Sequence, residues 1–194
     1  MKKPLYIFDF DGTLYDTARL NGAAYVRALA ACGVSITEEE FLPIARSRYY
    51  RDFLPEILGG PDEELMERIH REKKAVYRSL FPRVRENKAL FRLIETISDR
   101  CHVCIVSTAS RESILGILEA TGRKDLFELI LAQEDIPRKK PEPDGFLMAM
   151  EHFGAGKEDT LIFEDSEEGL LAARRAGVSC VMVTEFAEEE KAHG

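Results

Sequence analysis

The chain has no apolar run that approaches the about 20 residues needed to cross a bilayer. Residues 1–10 are too short and too acidic for a secretory signal. Basic residues are in deficit, because 27 Lys and Arg stand against 35 Asp and Glu and leave a net charge of −8. A nucleic-acid surface needs a basic face. We therefore expect a cytoplasmic protein that binds neither a membrane nor nucleic acid.

Cysteine is also scarce. Four cysteines in 194 residues indicate reduced thiols rather than a disulfide framework. Cys101 and Cys104 form a Cys-x-x-Cys pair, but they enter the apolar run Val103-Cys104-Ile105-Val106. Residues three apart on a strand point to opposite faces. We interpret them as packing residues rather than as a redox or zinc pair.

The residues that are present suit a globular protein with one sizeable core and a small accessory domain. Five short apolar runs predict strands that are buried on both faces, and helical patterns separate the later runs. The predicted strands are 5–9, 102–107, 129–132, 161–164 and 180–183, and the predicted helices are about 85–99, 111–121, 143–153 and 167–176. This alternation predicts an α/β fold with a Rossmann-like, mostly parallel sheet.

One connection departs from that alternation, since about 75 residues after the first strand carry no strong strand signal. Residues 23–31 favour a helix, Thr37-x-x-Glu40 is a candidate capping box, and Pro61-Asp62 begins a long charged helix. The pattern predicts a small all-α domain inserted into the α/β core. The predicted limits are 16–80 for the insert, and 1–15 with 81–194 for the core.

Two carboxylates, Asp9 and Asp11, stand two residues apart at the end of the first strand, just before Gly12-Thr13. On a strand that spacing places both on one face. Two anions so close repel, and burial would raise at least one pKa unless a cation intervenes. The pair indicates a metal-assisted nucleophile and a general acid/base. The alternative is a strand that ends in a polar turn.

Hydroxyl groups follow the second strand, where Ser107 and Thr108 precede a predicted helix that Ser110 would cap. In a parallel α/β sheet, ligands bind beyond the carboxyl ends of the strands. The free N–H groups and the dipole of a helix N-terminus favour an anion there. Ser107 and Thr108 are therefore candidate phosphate-binding residues. The alternative is simple capping by Ser110, and both can hold at the same time.

Charged residues also follow the next two strands. Lys140 stands beside Pro141, in a segment that either aims the amine at a fixed point or forms a solvated basic loop. Glu164 and Asp165 precede another helix, and together they favour a site for a hard cation over simple helix capping. Four acids at one sheet edge need neutralisation, which Mg²⁺ and Lys140 would supply. Such an arrangement suits a phosphoryl group that a carboxylate attacks.

These motifs resemble those of the haloacid dehalogenase superfamily of phosphotransferases, over nearly the whole chain. Within it they are similar to the branch of beta-phosphoglucomutases and sugar phosphatases. The motifs are Asp9-Phe10-Asp11-Gly12-Thr13, Ser107 after Val103-Cys104-Ile105-Val106, Lys140-Pro141-Glu142-Pro143-Asp144, and Glu164-Asp165-Ser166-Glu167-Glu168-Gly169.

The resemblance implies a role for each matching residue. Asp9 would be the nucleophile that forms an aspartyl-phosphate, and Asp11 would protonate the leaving group and then activate water. Ser107 and Lys140 would hold phosphate oxygens. Mg²⁺ would be bound by Asp9, Asp11 (through its backbone carbonyl), Glu164 and Asp165. The insert would be a helical cap that closes over the substrate and excludes bulk water.

The resemblance therefore implies a Mg²⁺-dependent phosphatase whose substrate is a small phosphorylated metabolite, such as a sugar phosphate, a polyol phosphate or a phosphoglycolate-like compound. The family's dehalogenases lack the second acid, which is present here as Asp11. Its sugar-phosphate mutases usually carry a His in the cap's first helix, where this chain has Asn21, which does not titrate near neutrality. A sugar-phosphate mutase and a non-catalytic member that binds phosphorylated ligands stay open as alternatives.

Arginines in the insert are weaker candidates. Arg46 and Arg48 lie between predicted cap helices and would be placed to meet the distal end of a substrate. A solvated helix face is the favoured interpretation, because charged residues mostly cover surfaces. The sequence does not distinguish a monomer from a small homo-oligomer.

Overall fold

A computed structural model describes residues 3–45, 48–184 and 186. Its sheet has five parallel strands in the order β3-β2-β1-β4-β5. The strands are β1 (Leu5–Phe8), β2 (His102–Val106), β3 (Leu129–Leu131), β4 (Thr160–Glu164) and β5 (Ser179–Met182). The predicted α/β fold with a parallel sheet is therefore confirmed, and each strand lies within one residue of its predicted limits.

Eight α-helices accompany the sheet in the described part of the chain. They are α1 (Thr17–Ala31), α2 (Glu38–Ala45), α3 (Tyr50–Leu58), α4 (Glu63–Leu80), α5 (Lys88–Ile97), α6 (Arg111–Thr121), α7 (Asp144–Phe153) and α8 (Glu167–Ala176). Short 3₁₀ helices occupy Phe81–Arg83 and Lys124–Leu126. Across the described residues, no helix combines the length and the apolar character of a membrane span.

The chain divides into two compact units. The larger comprises the residues up to Asp16 and from Arg85 onward, and the smaller is Thr17–Val84. The larger unit contains the sheet with α5–α8, whereas α1–α4 belong to the smaller. These limits lie within four residues of the predicted domain boundaries. A role for the smaller unit as a cap stays a prediction.

The centre of the sheet is β1, and its position explains why the first acid motif matters. Ile7 pairs with Cys104 of β2 and with Ile162 of β4, and all three side chains are fully buried. Burying an apolar side chain of this size stabilises the fold by about 1.5–3 kcal/mol. Phe8 aligns with both Ile105 and Phe163. This register brings the residues that follow β1, β2 and β4 to the same level of the sheet edge.

The two cysteines of the Cys-x-x-Cys pair are free and buried. Cys104 belongs to the apolar cluster between the sheet and the helices α7 and α8. Burial raises the pKa of the Cys104 thiol well above its ordinary value, which suppresses the reactive thiolate. The structure thus agrees with a packing role.

The smaller unit has its own core, in which Tyr25, Phe41 and Phe53 lie with ring centroids 5.2–5.5 Å apart. The capping box is present, because the Thr37 backbone N–H donates to Glu40 Oε2 at 2.9 Å and the Glu40 N–H donates to Thr37 Oγ1 at 3.2 Å. These contacts fix the start of α2, as predicted.

Two helix predictions in the smaller unit were incomplete. Helix α1 begins at Thr17, six residues before the helix-forming stretch that the sequence indicated. Helix α3 was not predicted at all, since it contains Pro55, which lacks an N–H donor. It forms because Tyr50, Phe53 and Leu54 bury their side chains in the core of this unit. Here tertiary packing outweighs local propensity.

Candidate active site

The turn after β1 presents the first acid pair. The N–H groups of Leu14 and Tyr15 both donate to the Phe10 carbonyl at 3.1 Å, and the Gly12 N–H donates to the Tyr15 carbonyl at 2.8 Å. Phe10 and Tyr15 are buried and anchor the turn. Asp9 and Asp11 are therefore attached to a tightly hydrogen-bonded backbone.

Gly12 is required in this turn for two reasons. Its φ of +81° lies in the left-handed region, which favours glycine. A Cβ atom at this position would also lie 2.0 Å from Asp165 Oδ2. The backbone of the turn thus approaches the Asp165 carboxylate more closely than any side chain would permit.

Asp9 is almost completely buried, with 5% of its surface exposed. Its N–H donates to the Phe163 carbonyl at 2.9 Å, which fixes the residue beside β4. Burial raises the pKa of Asp9, and the charges of Glu164 and Asp11 raise it further, whereas Lys140 opposes the increase. An ionised Asp9 therefore gains from a further cation beside Lys140.

Lys140 lies between two carboxylates. Its Nζ donates to Asp9 Oδ1 and to Glu164 Oε1, both at 2.5 Å, and to the Val106 carbonyl at 3.2 Å. Burial opposes its charge, but the two carboxylates outweigh burial and raise the pKa of Lys140. The amine therefore stays protonated and neutralises part of the charge at the end of β1.

Glu164 ends β4 and is 1% exposed. Its Oε2 accepts hydrogen bonds at 2.9 Å from the N–H groups of Asp165 and Ser166 and from Ser166 Oγ. A Cβ at Gly169 would lie 1.9 Å from Glu164 Cδ, so that only glycine fits there. The two residues that precede α8, together with Lys140 and Gly169, hold this glutamate in one position.

Asp165 completes an acidic cluster. Thr13 Oγ1 donates to Asp165 Oδ1 at 3.1 Å. Partial desolvation, with the charge of Glu164 added, raises the pKa of Asp165 to about 6. Carboxylate oxygens of Asp9, Glu164 and Asp165, one from each, lie within 4.8 Å of one another. An all-oxygen donor set of this size fits a hard divalent cation such as Mg²⁺.

The hydroxyl residues lie beside this cluster along the sheet edge. Ser107 directly follows β2, is buried, and accepts the Ala109 N–H at 3.1 Å through Oγ. Thr108 is exposed. Ser110 caps α6 by accepting the Ser113 N–H at 3.3 Å. Capping is therefore present, and phosphate binding by Ser107 and Thr108 stays a prediction.

The two cap arginines differ in what the structure says of them. Arg46 lies outside the described residues. The Arg48 guanidinium binds Glu56, with its Nη2 2.7 Å from Oε1, and it also donates to the carbonyls of Ile44 and Asp52. All of these partners belong to the smaller unit. Contact of either arginine with a substrate stays a prediction.

Several supporting groups were not identified from the sequence. The Val106 carbonyl that binds Lys140 carries no side-chain signal. Gly169 and Ser166 stand in the last motif, but nothing in a single sequence indicates that they enclose Glu164. The hydroxyl of Thr13 stands in the first motif, and its bond to Asp165 joins residues 152 positions apart.

The sequence profile that describes haloacid dehalogenase-like hydrolases matches residues 6–183. The chain belongs to this family. The match runs from the second residue of β1 to just past the end of β5, and so it includes the whole acidic cluster and Lys140. The predicted resemblance and the expected enzyme class, a hydrolase, are confirmed.

Individual relatives have diverged in sequence but share the architecture. A phosphorylated carbohydrates phosphatase from Thermotoga maritima is 29% identical over 177 residues, which cover 89% of this chain and 81% of the relative. A Thermotoga maritima protein provisionally named beta-phosphoglucomutase is 27% identical with a TM-score of 0.80, over 98% of this chain and 89% of the other. CbbY from Rhodobacter sphaeroides, solved with phosphate, is 25% identical with a TM-score of 0.73, over 97% and 92%.

Proposed function

We propose that this protein is a Mg²⁺-dependent phosphatase that hydrolyses small phosphate monoesters through an aspartyl-phosphate. The observation that carries the proposal is the joint placement of Asp9, Glu164 and Asp165 around one point, with Lys140 bound to two of them. Acids gathered in this way, two of them buried, favour the binding of a cation and of an anionic group that the cation and the lysine neutralise.

Asp9 is the nucleophile in this proposal. One of its carboxylate oxygens forms a bond to phosphorus while the bond to the ester oxygen breaks, and Asp11 gives its proton to the departing alcohol. Asp11 then takes a proton from water, whose oxygen attacks phosphorus and releases inorganic phosphate and free Asp9. The hydrogen-bonded turn keeps both acids on one short, fixed backbone segment.

Mg²⁺ would be held by Asp9, Asp11, Glu164 and Asp165, and when bound it would neutralise phosphoryl oxygens. Lys140 favours the ionised form of Asp9 over the protonated one and binds a phosphate oxygen. Ser107 and Thr108 bind further phosphate oxygens beyond the carboxyl end of β2, where ligands bind in a parallel α/β sheet.

The substrate class follows from the relatives and from the proposed architecture. The Thermotoga maritima phosphatase is named for phosphorylated carbohydrates, which supports a sugar or polyol phosphate, and a phosphoglycolate-like compound is the next class to test. We propose that the smaller unit is the helical cap of this enzyme. The protein would work in the cytoplasm, as a monomer or a small homo-oligomer.

A sugar-phosphate mutase is the second candidate, and the similarity to the provisionally named beta-phosphoglucomutase favours it. Asn21 of α1 argues for hydrolysis, because its amide does not supply the titrating group that the mutases carry there. Incubation with a sugar 1-phosphate separates the two functions, since a phosphatase releases inorganic phosphate and a mutase forms the isomeric sugar phosphate.

Hydrolysis of p-nitrophenyl phosphate with Mg²⁺ or with EDTA tests the proposal. We expect turnover that requires Mg²⁺ and that falls at least about 1,000-fold in Asp9→Asn, which is nearly isosteric but has lost the nucleophilic charge. Normal turnover in Asp9→Asn would overturn the mechanism. A panel of phosphorylated metabolites ranked by kcat/KM would then identify the substrate.

A further inference from the structure

Asn87 is a buried polar residue that the proposed mechanism does not use. It precedes α5, and its Oδ1 accepts the Leu90 N–H at 3.3 Å as a helix cap. Its Nδ2 donates to the Thr13 carbonyl at 3.1 Å, and its backbone N–H donates to the Leu14 carbonyl at 2.8 Å. With 4% of its surface exposed, Asn87 joins the start of α5 to the turn that carries the two catalytic acids.

Thr13 in turn connects the turn to the acidic cluster. This threonine is fully buried, and its hydroxyl donates to Asp165 Oδ1. A chain of hydrogen bonds therefore runs from the Asn87 amide through Thr13 to a carboxylate of the acidic cluster. Because buried polar groups are costly to leave without partners, each link restricts the next.

The backbone around Asn87 strengthens this connection. The Asp16 N–H donates to the Arg85 carbonyl at 3.0 Å, and Tyr15 forms an antiparallel bridge with Glu86. Residues 14–16 therefore pair with residues 85–87, so that the Asn87 side chain reaches the turn from a neighbouring, fixed backbone. This pairing brings the Asn87 side-chain amide to the Thr13 carbonyl, to which it donates a hydrogen bond.

We propose that Asn87 is a positioning residue for the turn Asp11–Thr13 and that, through Thr13, it holds Asp165 in place within the acidic cluster. Its link to catalysis rests on the proposed phosphatase function. The hydrogen-bond chain itself does not, and it is open to a measurement that needs no substrate.

The test uses Asn87→Ser in the full chain. Serine is as good a helix cap as asparagine, but its hydroxyl is too short to reach the Thr13 carbonyl. We expect amide hydrogen exchange in residues 11–15 to accelerate about tenfold. The Mg²⁺ concentration for half-maximal activity should rise about tenfold and kcat should fall by a similar factor, as is typical when groups that orient metal ligands are lost.

Asp62→Ala is the matched control, because it removes the cap of α4, where Asp62 accepts the Leu65 N–H, in the smaller unit. It should lower Tm and leave exchange in residues 11–15 unchanged. Wild-type exchange in Asn87→Ser, or a lowered Tm as its only effect, would overturn the positioning role.

If Asn87→Ser does not fold, Asn87→Asp replaces it, since it keeps the cap and the size of the side chain but presents an acceptor to Thr13. The same exchange criterion then applies. Failure of the proposed function has a different signature: wild-type protein without Mg²⁺-dependent hydrolysis would refute the phosphatase, and the exchange result would still decide the role of Asn87.

Discussion

Two ion-paired sites, one in each unit of the chain, use charged residues in contrasting ways. In the larger unit, Lys140 forms ion pairs with Asp9 and Glu164, and the three side chains are 1–9% exposed. In the smaller unit, Arg48 pairs with Glu56 and both side chains are substantially exposed. Exposed pairs gain little because water and salt screen them, whereas a buried charge that loses its partner is strongly destabilising.

This difference shows where stability is lowered by an arrangement that serves function. Asp9 and Glu164 are buried close together, although burial and mutual repulsion both oppose their ionisation. Backbone N–H groups, Ser166 and Lys140 offset part of that cost. Apolar side chains in the same volume would satisfy the fold with fewer constraints, so the arrangement is explained by chemistry rather than by stability.

The strongest way to break the comparison is Lys140→Met, which keeps the length of the side chain and removes its charge. We expect the free energy of unfolding, measured by urea denaturation in EDTA, to fall by about 3–5 kcal/mol, because two buried carboxylates lose their common partner. Phosphatase activity should be lost as well. Stability equal to that of the wild type would show that these charges are not coupled as the structure indicates.

The same variant carries a pH signature. Burial already raises the pKa of Asp9, and loss of the Lys140 cation raises it further. The folded variant then binds more protons than the unfolded chain between the ordinary Asp pKa, about 3.9, and the raised value. Its stability should therefore fall as the pH rises through that window, more steeply than in the wild type. Parallel curves would contradict the assignment.

A second prediction concerns the cation. Mg²⁺ that binds the folded acidic cluster and not the unfolded chain should stabilise the protein by about 2.7 kcal/mol at 100 times its Kd. Thermal unfolding with increasing MgCl₂ measures this effect. Asp165→Asn should abolish most of the shift, while the exposed control Glu56→Gln should leave it intact. An equal shift in Asp165→Asn would place the cation elsewhere.

A third prediction tests how closely Glu164 is enclosed. Gly169→Ala places a methyl carbon 1.9 Å from Glu164 Cδ, well inside van der Waals contact. We expect stability to fall by about 1–3 kcal/mol, as is typical of overpacking, and activity to fall because Glu164 no longer holds Lys140. Gly156→Ala is the control, since the nearest side-chain atom there is Glu158 Oε2 at 3.2 Å. Equal losses in both variants would argue against a specific enclosure.

The sequence predicted the convergence of the site because one rule governs it. In a parallel sheet, the residues after neighbouring strands meet at one edge, and so Asp9, Lys140 and Asp165 could be brought together without coordinates. The partner of Arg48 and the hydrogen bond from Asn87 to Thr13 could not be predicted from the sequence. They depend on tertiary packing between residues 8 and 74 positions apart, and no local pattern records them.

The smallest effect is expected in the smaller unit, from Arg48→Met. Its ion pair with Glu56 is exposed, so Tm should change little. The variant also tests whether Arg48 meets the substrate: a raised KM for a sugar phosphate, with kcat unchanged, would show that this arginine supplies uniform binding energy. An unchanged KM would show that Arg48 only connects the segments around Ile44 and Asp52.

Glu56→Gln is the companion variant, since it weakens the ion pair of Arg48 without removing the charge of the arginine. If the arginine binds substrate, the two variants should shift KM differently; if it is purely structural, neither should shift it.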